Sequence, residues 1–292
     1  MNNMLNHDVG SLMPLIKSIY TSLTKTEKKV AEFVIDYPEK VVYSSISDLA
    51  DLVEVGDTTV LRFCRKTGYK GYQSFKVALA QEISISNKET KQNYDEEISD
   101  TDSIWDVSQK TLTYAIQALN ETLSLLGKDE LEKAVSYILD ANKIEVFGVG
   151  TSAVTSLDAK YRFARIGLNI DSSLDGHMQA MKSSLLTSSD VAIGVSFSGS
   201  SKDTVEVLAL AKKRGAKTIC ITHFARSPIT KYADVVLLNG SKEDPLEGGA
   251  LASKMSQLLV IDILYNNIFL RMKNDAIKNK EMTSKAVMGK LF

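Results

Sequence analysis

From Leu15 to about Ile83 apolar residues recur at helical spacing, broken at Pro38, at Val55-Gly56 and across Gly68–Tyr72. A repeat of three to four positions buries one helix face, so the stretch predicts four or five short helices. The next segment, 84–102, reads SISNKETKQNYDEEISDTD and offers only two isoleucines and one tyrosine to a core. It reads as a linker between domains 1–83 and 103–292. Two more helices are predicted at Ser103–Leu126 and Lys128–Leu139.

The pattern then changes. Short apolar runs at Ile144–Phe147, Leu168–Ile170, Val191–Phe197, Thr218–Thr222 and Val235–Leu238 alternate with amphipathic stretches long enough to be crossovers. This predicts an α/β domain, a doubly wound parallel sheet of flavodoxin-like type, behind an all-α N-terminal domain. Ligands of such sheets bind at the carboxyl ends of strands. Three runs end in glycine or hydroxyl residues there: Gly148–Ser152, Ser196–Ser201 and Thr222-His223. The apolar stretch Leu251–Leu270 is expected to supply subunit contacts, and the lysine-rich tail from Lys273 an extra helix.

A chain of 292 residues with 44% hydrophobic and 24% charged positions can bury two cores. Its net charge of −1 gives no global pull toward nucleic acid, so any such attraction needs local segregation of charge. That segregation exists: Thr58 to Gln81 holds Arg62, Arg65, Lys66, Lys70 and Lys76 and no acid, while Asp48, Asp51, Glu54 and Asp57 lie just upstream. Cys64 and Cys220 stand far apart within apolar patterns, which predicts buried thiols, no metal site and no disulfide. No cofactor is expected. No apolar run reaches membrane-spanning length and MNNMLNHDVG lacks signal-peptide features, so a cytoplasmic protein without a membrane partner is expected.

Within the first domain Ala50 is small enough to sit at a helix crossing, with Leu49, Val53, Val60 and Phe63 turned inward to lock it. This leaves Ser47, Thr58, Thr59, Arg62, Arg65, Lys66 and Lys70 as candidates to touch double-stranded DNA, hydroxyls and cations being suited to phosphates and base edges. The stretches LTKTEKKVAEFVIDYP and ISDLADLVEVGDTTVLRFCRKTGYKGYQSFKVALAQE closely resemble the N-terminal domain of the MurR/RpiR family of bacterial transcriptional regulators, over about Leu15 to Glu82. Against that family's pattern, Glu54 stands where glycine is common and Gly56 where serine is common. A left-handed Glu54 carries a cost, and Asp57 or Thr58 is left to cap the second helix.

For the sheet domain two readings compete. Gly148-Val149-Gly150-Thr151-Ser152-Ala153 satisfies a G-x-G-x-x-A fingerprint after a strand, with Asp171 about 20 residues on, which would mean NAD. The rival uses both loops: Gly150, Thr151 and Ser152 with Ser196, Ser198, Gly199 and Ser201 around one phosphoester, held by hydroxyls and helix-terminal N–H groups. Gly194–Gly199 has P-loop glycine spacing, but Ser200-Ser201 follow in place of the lysine pair, which excludes that nucleotide site.

VSFSGSSKDTVEVLALAKKRGAKTICIT and EGGALASKMSQLLVIDILY resemble the sugar isomerase (SIS) domain, from about Ile144 to Leu270. The resemblance implies that Thr151, Ser152, Ser196, Ser198 and Ser201 grip the phosphate of a phosphosugar. It implies that Glu247 and Lys254 read sugar hydroxyls or, in an enzyme, move protons, and His177 and His223, near predicted strand ends, are candidates for the same tasks. MurR/RpiR regulators join these two domains in this order. The expectation is a non-enzymatic transcriptional regulator of sugar or amino-sugar catabolism genes, a homodimer or tetramer on an inverted-repeat operator, controlled by a phosphosugar. An NADH-sensing regulator and a fused aldose-ketose phosphate isomerase are the alternatives.

Overall fold

The computed structural model describes residues 12–87, 98–240 and 251–290. They form two compact units, the first within 12–87 and the second from 98–240 with 251–290.

The first unit is all helix: α1 (Leu12–Ile19), α2 (Lys25–Asp36), α3 (Pro38–Tyr43), α4 (Ile46–Leu52), α5 (Asp57–Lys66) and α6 (Tyr72–Asn87). Six helices stand where four or five were expected because Pro38 opens a helix as well as ending one. At a first-turn position its missing N–H costs nothing. Thr24 and Ser45 start α2 and α4 with reciprocal capping boxes to Glu27 and Asp48. The aromatic turn after α5 is locked by Tyr69 and Phe63, each edge-on to Phe75. The Tyr72 hydroxyl there donates to the carbonyls of Val41 and Ser44. α6 runs four residues beyond the boundary expected at 83.

The second unit opens with α7 (Ile104–Leu125) and α8 (Lys128–Leu139), followed by β1 (Ile144–Phe147), α9 (Thr151–Ala164), β2 (Ile170–Ser172), α10 (Gly176–Ser184), β3 (Val191–Val195), α11 (Lys202–Lys213), β4 (Lys217–Thr222), β5 (Val235–Leu238), α12 (Leu251–Met272) and α13 (Asn274–Met288). The strands are all parallel in the order β2-β1-β3-β4-β5, with Ile144 paired to Ile170 on one side and Val191 on the other. The order reverses between β1 and β3, which makes their carboxyl ends the topological switch point where such folds bind ligands.

β2 begins two residues later than the apolar run suggested, because Leu168 is used to end α9. Its N–H bonds the Phe163 carbonyl after Gly167 turns left-handed. The lysine-rich tail does form a helix, α13. No described helix is long and apolar enough to cross a membrane.

Candidate functional sites

α4 and α5 form the predicted helix pair. Ala50, Leu49, Val60 and Phe63 are each at most 1% exposed, so the crossing is as the spacing requires. The connection ends α4 with paired bonds, Val55 N–H to the Ala50 carbonyl (2.7 Å) and Glu54 N–H to that of Asp51 (3.0 Å), with Glu54 left-handed at φ 53°. The expected strain at Glu54 is therefore present. The cap position of α5 falls on Gly56, which has no side chain to offer, and neither Asp57 nor Thr58 occupies it.

The candidate DNA contacts divide. Thr58, Arg62, Arg65 and Lys70 are exposed and Thr59 half-buried. Ser47 is a correction to the exposed set: it is buried, its hydroxyl donating to Asp57 across the turn (3.2 Å). Lys66 is partly committed elsewhere, its ammonium 2.7 Å from the buried Glu27. Lys76, counted with the basic run, is also buried and donates to the Ser44 carbonyl at 3.0 Å. The basic face therefore rests on Arg62, Arg65 and Lys70.

In the second unit, adjacent strands β1 and β3 end in the two predicted loops. Gly150 (φ 58°) turns the chain into α9, leaving Thr151 exposed at the helix start and Ser152 buried. In the other loop the Ser196 hydroxyl donates to Ser201 Oγ (3.2 Å), and Ser198 Oγ accepts the Ser200 N–H (3.2 Å). Gly199 is left-handed (φ 60°), and a Cβ there would sit 2.1 Å from Ser227 Oγ, so only glycine lets the loop close. Ser201 stands at the cap position of α11 but its side chain caps nothing, and the first-turn N–H groups have no intrahelical acceptors. Hydroxyls and helix N–H groups thus gather where an anion is favoured by the helix dipole.

His223 backs this loop. Its ring stacks on Phe197 (4.9 Å between centroids), and Nδ1 faces the Asn239 carbonyl at 3.0 Å. A carbonyl only accepts, so Nδ1 is the donor in this contact and Nε2 is the ring nitrogen it leaves unengaged. His177 is exposed in the first turn of α10, and Lys254 is half-buried near the start of α12. Glu247 lies outside the described residues.

Two supporting residues carry no motif and were missed in the sequence. Gln257 of α12 accepts from Thr155 Oγ1 (3.0 Å) and donates to Ser152 Oγ (3.2 Å), tying α9 in place. Gln179 of α10, fully buried, donates to the Gly148 carbonyl (2.9 Å) and the Ser173 carbonyl (2.8 Å), while its Oε1 has no partner among the described residues. Only a buried amide at the strand ends betrays them, and burial is not written in a single sequence.

Asp171, the acid of the dinucleotide reading, is engaged by Lys160 at 2.7 Å and by Lys182. Burial opposes ionisation there, but the bonds from both ammonium groups and from the Ser172 N–H outweigh it and hold the carboxyl well below the usual range. Lys182 also approaches the buried Glu145 at 3.4 Å, and Lys143 pairs with that carboxylate at 2.8 Å. Among the described residues no group of three or more His, Cys, Asp or Glu is placed to hold a metal. Both cysteine thiols are buried and pushed up to about 12.

Similarity to known proteins follows the same division of the chain. The helix-turn-helix domain of the rpiR family matches residues 10–86, and the SIS domain matches 137–267. An uncharacterised HTH-type transcriptional regulator of Haemophilus influenzae is 39% identical over 279 residues, 96% of this chain and 97% of that one. The chain belongs to the RpiR family of helix-turn-helix transcriptional regulators. The HTH-type transcriptional regulator HexR of Pseudomonas aeruginosa is 31% identical over 261 residues, 89% of this chain and 90% of its own. Among solved structures, the Vibrio vulnificus NanR protein complexed with ManNAc-6P superposes with a TM-score of 0.83 at 28% identity, covering 96% of this RpiR-family chain and 100% of NanR.

Proposed function

We propose that this RpiR-family regulator binds an inverted-repeat operator near sugar or amino-sugar catabolism genes and that a phosphosugar in its SIS domain sets its hold on that DNA. α5 enters the major groove with Arg62, Arg65 and Lys70 toward the duplex, and two copies present two such helices to the half-sites. Operator binding makes the cytoplasm its place of work. The observation that carries the effector reading is the meeting of two hydroxyl-rich loops at the β1/β3 switch point, in a chain whose whole-length structural relative, NanR, was solved with ManNAc-6P.

In this mechanism the phosphate lies against the starts of α9 and α11, held by Thr151, Ser152, Ser196, Ser198 and Ser201. Gly150 and Gly199 give the loops their shape. His177, His223, Lys254 and Glu247 read the sugar hydroxyls. The effector acts only through unequal affinity for the DNA-binding and DNA-releasing arrangements of the chain. It is bound without turnover, in keeping with relatives that are named regulators.

Thermal-shift titration of the full chain against ManNAc-6P, other hexose and pentose phosphates, inorganic phosphate and NADH tests the effector class. A ligand that binds only the folded state at about 100 times its Kd adds about 2.7 kcal/mol of stability. A saturable shift is expected from a subset of the sugar phosphates. A shift from NADH alone would move the site to the dinucleotide reading, which the engagement of Asp171 by two lysines disfavours. Isomerised product on incubation would establish the fused enzyme.

A further inference from the structure

α7 carries a second apolar face that none of the described residues of its own unit covers. The helix packs on α12, burying Ala118 and Thr122. On another side Trp105, Leu112, Ile116 and Leu123 are 70%, 55%, 49% and 64% exposed. At about 100° per residue the steps of seven, four and seven bring all four within about 20° of one line. That line lies well over a quarter turn from Ala118 by the same geometry. Four large apolar side chains exposed along one side of a helix are the mark of a surface that meets a partner.

The spacing names the partner. Steps of seven, four and seven read the same in both directions, so reversing the helix about the level of Tyr114 exchanges Trp105 with Leu123 and Leu112 with Ile116. Two copies laid antiparallel about a two-fold axis at that level would therefore set Trp105 of each against the partner subunit's Leu123, and Leu112 against the partner subunit's Ile116. A self-complementary patch of this kind is what an isologous dimer contact requires, and the seven/four rhythm is that of interdigitating antiparallel helices.

The charges agree. The 22 residues of α7 hold three ionisable charges, Asp106, Lys110 and Glu121, and all fall about 100° or more round the helix from the row. Lys110 is also tied back to Asp102 at 2.9 Å. The positions bordering the row include Ser108, Gln109 and Asn120, polar and uncharged, as the rim of a buried contact should be.

We infer that the exposed row of α7, Trp105-Leu112-Ile116-Leu123, is a dimer interface that seats a second copy of this chain antiparallel to itself. This rests on the two-headed reading above and names the surface that joins the heads, in addition to any contact made through α12.

The test uses the full chain without DNA or effector. Trp105 is the sole tryptophan, so its emission reports the interface directly. Light scattering should give a dimer mass at micromolar concentration with blue-shifted emission. Leu112→Glu combined with Ile116→Glu should halve the mass and shift the emission to the red at unchanged helical circular dichroism. Leu112→Cys combined with Ile116→Cys should instead yield a covalent dimer on mild oxidation, which keeps the test open if the acidic variant folds poorly. A dimer that survives the acidic variant and fails to cross-link would overturn the interface and leave the two-headed reading standing. A wild-type monomer at every concentration would sink both, and a monomer with buried emission would show that the chain covers the row itself.

Discussion

The ammonium of Lys66, at the end of α5, lies 2.7 Å from the carboxylate of Glu27, at the start of α2. Glu27 is buried and already accepts from the Thr24 N–H and hydroxyl, at 2.8 and 2.9 Å. Burial pushes its pKa up, but the bonds from Lys66 and Thr24 prevail and leave it below the ordinary value of 4.5. A residue whose position suits a DNA phosphate is thus also a strut between two helices.

Lys66→Ala is expected to lower stability by about 1–2 kcal/mol, because a buried carboxylate loses its cation, as urea unfolding would measure. With the folded pKa depressed, the stabilisation from Glu27 is complete above its unfolded pKa and is lost as pH falls through the lower folded value. In Lys66→Ala the folded pKa rises, so part of that loss disappears and the stability gap from wild type narrows in acid. A gap independent of pH would refute the pairing.

Arg62→Ala and Lys70→Ala should separate base reading from phosphate contact. If Arg62 reads a guanine, its loss should cost about 1–3 kcal/mol at that base and relax specificity there. Loss of Lys70 should weaken binding to all sequences alike and reduce the salt slope by about one. Binding isotherms at several salt concentrations on an operator and its single-base variants measure both. Unchanged binding in the two variants would remove α5 from the interface.

Glu54 is left-handed at φ 53° where the equivalent cap after α5 uses Gly68 at φ 90°. Left-handed backbone costs a non-glycine residue about 1–2 kcal/mol, and glycine returns part of that through the entropy of the unfolded chain. The Lys29–Glu54 ion pair lost in the exchange is largely exposed and worth little. Glu54→Gly should therefore raise stability by up to about 1 kcal/mol. A destabilised variant by thermal or urea melting would show that Glu54 earns its place by contact rather than tolerating strain.

The elements that were legible in the sequence are those whose signal is local. Lys128–Leu139, Ile144–Phe147 and Val235–Leu238 match their apolar runs end for end. The inward set Leu49, Ala50, Val60 and Phe63 follows from spacing alone. What escaped depends on contacts between distant segments. Charge in the sequence does not tell that Lys76 is buried under Ser44 or that Lys66 has found Glu27 39 residues away. The hydroxyl loops were visible as motifs, whereas Gln179 and Gln257, which hold their bases, have no pattern until the helices are placed.

Gln179 gives that difference a test. Its amide spans the carbonyls of Gly148 and Ser173, at the carboxyl ends of β1 and β2, and so fixes the entry to the Gly150-Thr151-Ser152 turn. Gln179→Ala leaves two carbonyls without this donor and should cost about 1–3 kcal/mol of stability. Gln179→Glu places an acceptor against both and should cost more when ionised. If the turn holds a phosphate, both variants should also raise the concentration of sugar phosphate needed for a half-maximal thermal shift, and a high enough concentration should restore the full shift. Ser201→Ala removes one of the hydroxyls proposed to hold the phosphate instead, so its response should weaken with little change in unliganded stability. Operator affinity without effector should match wild type in all three. Gln179→Ala with lowered stability and an unaltered effector titration would show that the residue serves the fold alone.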